Sequence, residues 1–182
     1  MSAGPEQRGM VPADVPQVAE LERQLFGPSA WTEAMLAAEL HAPGRWYLAA
    51  VERAAEVPDG AAGGSVDGGT TDGTVVGYAG LWFDGDVCQV MTIGVAPVVQ
   101  RQGVGTALLS ALVDRSRELG ASAVLLEVRV DNAPALALYE RFGFEVLSRR
   151  RRYYQPEDVD AWTMRLALAP QEEPDPHVDT GR

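Results

Sequence analysis

The sequence predicts a mixed α/β domain built around one central sheet. The chain has 182 residues, which suits one compact domain with tails. Its middle alternates between strand-like and helix-like segments in the order strand, helix, strand, helix, strand. Val124–Val130 is almost continuously apolar, as is typical of a strand buried in the centre of a sheet. We therefore expect about six to seven strands flanked by about four helices.

The first part of the chain predicts two helices and a strand. Residues 1–10 resemble a flexible end, and Asp14 is placed to cap a helix that runs to Phe26. Thr32 follows a Gly-Pro break and is placed to cap a second helix. Arg45–Glu52 contains aromatic and apolar residues in the pattern of a strand.

Two segments of the chain have few apolar side chains to bury, and the remaining predicted strands and helices lie between them. Residues 53–73 are mainly Ala, Gly, Asp and Thr, which predicts a flexible hairpin insertion, and the acidic, Pro-rich residues 169–182 predict a disordered tail. The domain is thus expected to span residues 11–168. Its later elements are predicted strands at Thr74–Phe83, Asp86–Val95, Val124–Val130, Phe144–Arg149 and Ala161–Leu168, and helices at about Gly103–Leu119 and Asn132–Phe142.

The composition argues against several classes of protein. No apolar run approaches the roughly 20 residues that span a bilayer, and residues 1–10 lack the apolar core of a secretory signal. The single cysteine, Cys88, excludes an internal disulfide and fits a reducing cytoplasm. The net charge of −11 argues against direct nucleic-acid binding and favours a basic acceptor. Because His41 and His177 are isolated, no metal site is expected.

The segment Gln100–Thr106 is the most informative local pattern. Gly103 and Gly105 stand between a strand and an amphipathic helix, where backbone N–H groups and the helix dipole attract a phosphate. Arg101 can add charge-assisted hydrogen bonds. The segment lacks the Gly-Lys-Ser/Thr of a P-loop and the third glycine of a dinucleotide fingerprint. Its spacing alone leaves two interpretations open, an anion-binding loop or a simple turn.

Together with four further stretches, this loop resembles the GNAT acetyltransferases, and among them the RimI-type ribosomal-protein-alanine N-acetyltransferases. The resemblance covers about residues 10–168 and omits the insertion. It implies the GNAT (acyl-CoA N-acyltransferase) fold, acetyl-CoA as co-substrate and no metal. The four stretches are Thr92-Ile93-Gly94-Val95, Leu126-Glu127-Val128-Arg129, Asp131-Asn132-Ala133-Pro134-Ala135-Leu136-Ala137-Leu138-Tyr139-Glu140 and Arg151-Arg152-Tyr153-Tyr154.

The resemblance also implies a set of residues that bind acetyl-CoA. The strand residues would offer backbone groups to the pantetheine arm, and the loop would hold the pyrophosphate. From the residues alone, Asn132 could equally cap the helix that follows it. The implied set is Ile93, Gly94, Val95, Arg101, Gln102, Gly103, Val104, Gly105, Thr106 and Asn132.

Glu127 and Tyr139 are the candidate catalytic residues. Glu127 lies in an apolar strand, where a carboxylate is costly unless it is paired or solvated. It could pair with Arg129 or, as the resemblance implies, act as general base directly or through water. Tyr139 could be a packed aromatic residue or, by resemblance, the group that protonates or hydrogen-bonds the departing CoA thiolate. A covalent route through Cys88 is disfavoured, because no histidine lies nearby in the sequence.

The expected acceptor is the α-amino group of a protein. Deprotonating an α-amino group at pH 7 costs only about 1 kcal/mol, against roughly 4–5 kcal/mol for a lysine amine. By resemblance, the acceptor would be the N-terminal alanine of a small-subunit ribosomal protein, bound between the Gly27–Thr32 connection and the loop after Tyr154. Trp31, Tyr153 and Tyr154 are the candidate pocket walls.

Two other functions stay open at this point. One is a GNAT acetyltransferase of a small-molecule amine or a lysine side chain, and the other is a non-catalytic CoA-binding module. We expect a cytoplasmic monomer or weak dimer that binds neither nucleic acid nor membrane.

Overall fold

The computed structural model describes residues 4–53 and 73–168, and these form a seven-stranded mixed sheet with helices on both faces. The strands are β1 (Glu6–Gly9), β2 (Arg45–Glu52), β3 (Thr74–Phe83), β4 (Val87–Val95), β5 (Ala123–Arg129), β6 (Glu145–Tyr154) and β7 (Val159–Ala167). The α-helices are α1 (Val15–Phe26), α2 (Glu33–His41), α3 (Val104–Glu118) and α4 (Ala133–Arg141). The sheet order is β1-β2-β3-β4-β5-β7-β6, and only the β4–β5 pair is parallel.

The sheet separates two hydrophobic cores, because successive side chains of a strand point to opposite faces. In β2, Leu48 and Ala50 face the core that α3 and α4 cover. Tyr47, Ala49 and Val51 face the second core, which α1 and α2 cover. The mixed α/β fold class expected from the sequence is therefore confirmed.

The prediction that residues 1–10 form a flexible end is wrong for the part that the structure describes. Glu6–Gly9 pairs with β2 as an edge strand. The carboxylate of Asp14 is fully buried and pairs with Arg8 at 2.7 Å, and it also accepts from the N–H of Val11 at 2.9 Å. Because a buried carboxylate needs such partners, Asp14 ties this segment down instead of capping α1.

The other predicted elements are confirmed, with small shifts at their ends. Thr32 caps α2 by accepting the N–H of Met35. The strand predicted to end at Arg149 runs on to Tyr154, because the Arg-rich stretch pairs with β7. The predicted insertion, apart from its ends, and the predicted tail lie outside the described residues. No helix in the described ranges is long and apolar enough to cross a bilayer.

The parallel strands β4 and β5 stay paired only at their amino-terminal ends. Val87–Gln89 pairs with Ala123–Leu125, and beyond these residues β4 continues along β3 while β5 continues along β7. A gap therefore opens between the carboxyl ends of the two strands. Since α3 and α4 begin shortly after these ends, the gap lies where α/β sheets usually bind ligands.

Candidate active site

Backbone groups of β4 point into the gap between β4 and β5. The N–H of Ala96 donates to the carbonyl of Val76 on β3 at 2.8 Å. Hydrogen-bonded residues alternate along an antiparallel pair, so the N–H and C=O groups of Ile93 and Val95 face away from β3 and into the gap. The carbonyl of Val95 accepts from the side chain of Gln100 at 3.0 Å. The N–H groups of Ile93 and Val95 are thus directed into the gap, and their contact with a pantetheine arm stays a prediction.

The packing of the protein itself explains why position 94 is a glycine. A Cβ at this position would lie 2.5 Å from the hydroxyl oxygen of Tyr78, which is fully buried. No side chain fits there, so the packing of Tyr78 requires glycine at position 94. Its predicted cofactor contact would be made by the backbone.

The loop between β4 and α3 is shaped to receive an anion. Arg101 and Gly103 both adopt left-handed backbone conformations, with φ of 62° and 88°. Left-handed residues within a turn direct neighbouring N–H groups into a common concavity, which suits a phosphate. The first hydrogen bond of α3 runs from the N–H of Ala107 to the carbonyl of Gly103 at 2.9 Å. The N–H groups of residues 104–106 precede it and point out of the helix.

The protein itself holds two side chains of this loop. Gln102 donates to the carbonyl of Val98 at 3.1 Å, and the Thr106 hydroxyl accepts from Arg141 at 3.2 Å. An added Cβ at Gly105 would make only ordinary contacts, the nearest at 3.6 Å, so protein packing does not require glycine there. Backbone N–H groups and the exposed Arg101 are therefore the donors that fit a pyrophosphate.

Asn132 lies between β5 and α4 and caps the helix. Its Oδ1 accepts the N–H of Ala135 at 3.2 Å, which is the capping role that the residue alone suggests. The cap uses only the oxygen of the amide. A pantetheine contact through the NH₂ group is compatible with it and stays a prediction.

Glu127 lies on β5 beyond the last residue that pairs with β4. Its side chain is 16% exposed; Oε2 accepts from Nε2 of Gln89 at 2.6 Å, and Oε1 accepts from Nη1 of Arg150 at 3.0 Å. Arg129 pairs with Asp131 at 3.0 Å instead. The interpretation of Glu127 as the ion-pair partner of Arg129 is therefore wrong. Both oxygens of its carboxylate are hydrogen-bonded, and the group lines a pocket.

That pocket has a volume of about 600 Å³. The structure brings Glu127 together with all three predicted wall residues, Trp31, Tyr153 and Tyr154. Polar and charged side chains form about as much of its lining as apolar and aromatic ones. The remaining lining residues are Ser29, Trp82, Gln89, Val90, Met91, Arg150 and Gln155.

The two loops expected to enclose the acceptor are in contact. The Ser29 hydroxyl, between α1 and α2, donates to the carbonyl of Gln155 in the β6–β7 loop at 3.1 Å. Tyr154 donates to the carbonyl of Glu127 at 3.3 Å and meets Tyr153 edge to face. Burial raises the pKa of Tyr154 to about 12, and the neighbouring Tyr153 and Glu127 add to this. Its phenol therefore stays protonated and remains a donor near pH 7.

Several pocket residues were not predicted from the sequence. Trp82 is the second-last residue of β3, and the guanidinium of Arg45 lies over its ring, 4.9 Å from the centroid. Gln89 and Met91 belong to β4, and the sequence does not show that β5 leaves β4 at this point. Arg150 belongs to the run Arg149–Arg152, whose four neighbouring positive charges are visible in the sequence. Among these unpredicted pocket residues, only Arg150 lies in a sequence feature that draws attention to it.

Tyr139 lies in α4 and is 5% exposed, with its ring 5.8 Å from that of Phe144. Burial raises the pKa of Tyr139, and the nearby Tyr154 adds to the shift. The phenol is thus a neutral donor at working pH. Full proton transfer to a thiolate, whose conjugate thiol has a pKa near 8.5, becomes more unfavourable than for a free phenol. The geometry therefore favours hydrogen bonding over proton transfer, if Tyr139 meets the sulfur as predicted.

Cys88 is packed in the core and does not have the features of a nucleophile. Burial raises the pKa of its thiol, which opposes formation of the reactive thiolate. Among the residues that the structure describes, no three His, Cys, Asp or Glu side chains come together as metal ligands would.

Comparisons with known proteins show the family of the chain. Residues 18–144 match the acetyltransferase (GNAT) family. The chain is 40% identical over 158 residues to the N-alpha-acetyltransferase RimI of Mycobacterium tuberculosis, covering 84% of this chain and 86% of that protein. It is 39% identical over 102 residues to the [ribosomal protein bS18]-alanine N-acetyltransferase of Escherichia coli (strain K12), covering 55% of this chain and 69% of that protein.

Solved structures show the same fold. The crystal structure of the ribosomal-protein-S18-alanine N-acetyltransferase from Escherichia coli is similar with a TM-score of 0.71 at 27% identity, covering 93% of this chain and 98% of that one. Arabidopsis thaliana NAA60 in complex with acetyl-CoA has a TM-score of 0.74 at 19% identity, covering 90% and 98%, and supports the fold alone.

Proposed function

Because the chain belongs to the GNAT family of acetyl-CoA-dependent N-acetyltransferases, we propose that its acceptor is the N-terminal α-amino group of a protein. The observation that carries this proposal is the position of Glu127. The carboxylate lines a pocket beside the gap between β4 and β5, and two loops in mutual contact enclose the same pocket. An amine that enters between the loops would reach a carboxylate next to the expected thioester.

The proposed acceptor is the N-terminal alanine of a small-subunit ribosomal protein. The similarity of the chain to an N-alpha-acetyltransferase and to bS18-alanine N-acetyltransferases supports this acceptor. The chemistry agrees, since an α-amino group with a pKa of about 7.8 needs little help to become neutral. With such an acceptor, the reaction would take place in the cytoplasm.

Each group in the site has a proposed task. The backbone N–H groups of residues 104–106 and the Arg101 guanidinium hold the pyrophosphate of acetyl-CoA, while Asn132 contacts the pantetheine arm. An N–H of Val95 polarises the thioester carbonyl. A bond forms from the amine nitrogen to the acetyl carbon, and the bond from that carbon to sulfur breaks. Glu127 takes the proton that the amine loses, and the Tyr139 hydroxyl hydrogen-bonds the departing thiolate.

Peptides that differ only in their amino groups test the acceptor. One set begins with free Ala or Ser, a matched set is N-blocked with an internal Lys, and a third contains small amines. CoA release and product mass are measured together. We expect acetylation of the free N-terminal peptides alone. Turnover confined to lysine or small amines would overturn the proposed acceptor while leaving the family and the donor unaffected.

A further inference from the structure

We propose that Gln89 is a positioning residue that fixes the orientation of Glu127. By holding Oε2 of the carboxylate, it leaves Oε1 as the oxygen that receives the proton from the acceptor. This inference rests on the proposed function, in which Glu127 is the base.

Gln89 lies where the two strands part. It is the last residue of β4 that pairs with β5, opposite Leu125, and it also pairs with Trp82 on β3. Glu127 follows Leu125 by two residues and therefore lies on the same face of β5. The side chains meet across the start of the gap at 2.6 Å. Since strands on both sides hold the backbone of Gln89, its side chain starts from a fixed point within reach of Glu127.

Arg150 contacts the other oxygen in a different way. It lies on β6, an edge strand of the sheet, and its side chain is 52% exposed. Its guanidinium also stacks over the ring of Tyr153, 4.4 Å from the centroid. Because the Arg150 end of the pair is exposed, water can solvate its charge when the contact to Glu127 opens. Arg150 can therefore leave Oε1 and remain on the Tyr153 ring when an amine arrives.

The two contacts together define a direction for proton transfer. The acceptor nitrogen takes the place of Arg150 at Oε1, and its proton passes to that oxygen. Gln89 keeps the plane of the carboxylate fixed during the exchange. A hydrogen bond from a neutral donor also favours the ionised form of a carboxylate. Without Gln89, the carboxylate would rotate more freely.

The substitution Gln89→Met tests this by removing the donor at similar size. We expect kcat/KM for an N-terminal Ala peptide at pH 6 to fall between about tenfold and hundredfold, the range for a lost hydrogen bond to a charged group. We expect the acidic limb of the pH profile to move to higher pH, with the KM for acetyl-CoA unchanged. Gln24→Met is the matched control, since Gln24 is exposed on α1 and its side chain donates to Glu20.

The same substitution in a Glu127→Gln background separates the two proposals. If Gln89 acts through Glu127, the Gln89→Met substitution should lower kcat/KM little further in the Glu127→Gln background. An unshifted acidic limb, or an equal loss in both backgrounds, would overturn the positioning role and leave Glu127 as base. Near-normal activity of Glu127→Gln alone would overturn the base itself, and the role of Gln89 with it.

Discussion

Replacing Glu127 by Gln tests the proposed base while preserving the size of the side chain. General base catalysis contributes about 10²–10⁴-fold, or about 3–5 kcal/mol of barrier. An α-amino group is already about 10–15% neutral at pH 7, so the carboxylate has little deprotonation to supply. We therefore expect a loss near the lower limit, about 10²-fold in kcat/KM at pH 6 to 7. The loss should shrink above pH 8, where solvent supplies the neutral amine.

The structure indicates that this variant will fold. The new NH₂ group must face either Gln89 or Arg150, both of which donate to Glu127. The amide of Gln89 can turn to present its oxygen, and the exposed Arg150 can turn to water. The Arg150 side chain is 52% exposed, so its charge can be solvated by water once the ion pair is lost. Binding of acetyl-CoA should be unchanged.

The assay measures CoA release and peptide mass for an Ala peptide at pH 6, 7 and 9. Glu145→Gln is the matched control, because Glu145 is exposed at the start of β6, away from the pocket residues. A kcat/KM within about threefold of the wild-type value at pH 6 would refute the reasoning, given the range above. A loss of the same size at pH 6 and pH 9 would also refute it.

Three further predictions concern the thiolate, the pyrophosphate and the edge strand. Tyr139→Phe should lower kcat about tenfold or more with the KM for acetyl-CoA unchanged. Because burial raises the pKa of Tyr139, the wild-type rate should not fall below pH 10 through ionisation of this tyrosine. Arg101→Ala should raise the Kd of acetyl-CoA, measured by calorimetry, about tenfold. The increase should be smaller at high salt, which screens the charge of Arg101. Asp14→Asn should lower the free energy of unfolding by about 2–3 kcal/mol in urea at pH 7. Burial alone would raise the pKa of Asp14, but hydrogen bonds from Arg8 and the N–H of Val11 lower it. Its stabilisation is thus present above pH 4 and is lost as pH falls through the lowered pKa, so the gap between wild type and variant should narrow at pH 3.

The elements that the sequence predicted well are those whose apolar pattern is local. Arg45–Glu52 and Thr74–Phe83 have the predicted bounds, and the Gly103–Leu119 pattern became α3. Glu6–Gly9 could not be predicted in this way. It is a short polar strand held by pairing with β2 and by the Arg8–Asp14 contact, neither of which is visible in local sequence.

The same distinction applies to the site. The motif residues Glu127 and Tyr154 could be placed from their resemblance to a family, and they share the pocket. Gln89 and Trp82 share it only because β5 leaves β4 there and because β3 ends beside the gap. These are properties of strand pairing, which spacing along the chain does not encode.

The position of Glu22 in the sequence already indicates a buried carboxylate, although it was not predicted. It falls one turn after Val18 on the apolar face of α1, and it is 1% exposed. Its oxygens accept from the Thr92 hydroxyl at 2.6 Å and from the N–H of Trp31 at 3.2 Å. No ion pair to it forms within residues 4–53 and 73–168. The Glu22 carboxylate therefore connects Thr92 on β4 to Trp31, which forms one wall of the pocket.

Glu22→Leu should consequently affect both stability and the acceptor. It leaves two partly buried donors without an acceptor, at about 1–3 kcal/mol each, although the Thr92 hydroxyl can rotate to a new partner. We expect the free energy of unfolding to fall by about 2–4 kcal/mol and the acceptor KM to rise, with smaller effects for Glu22→Gln, which keeps an acceptor for Trp31. Glu20→Leu is the control on the exposed side of α1. Equal urea midpoints for the two Leu variants would show that Glu22 does not hold Trp31, because the loss of its hydrogen bonds would then have no measurable cost.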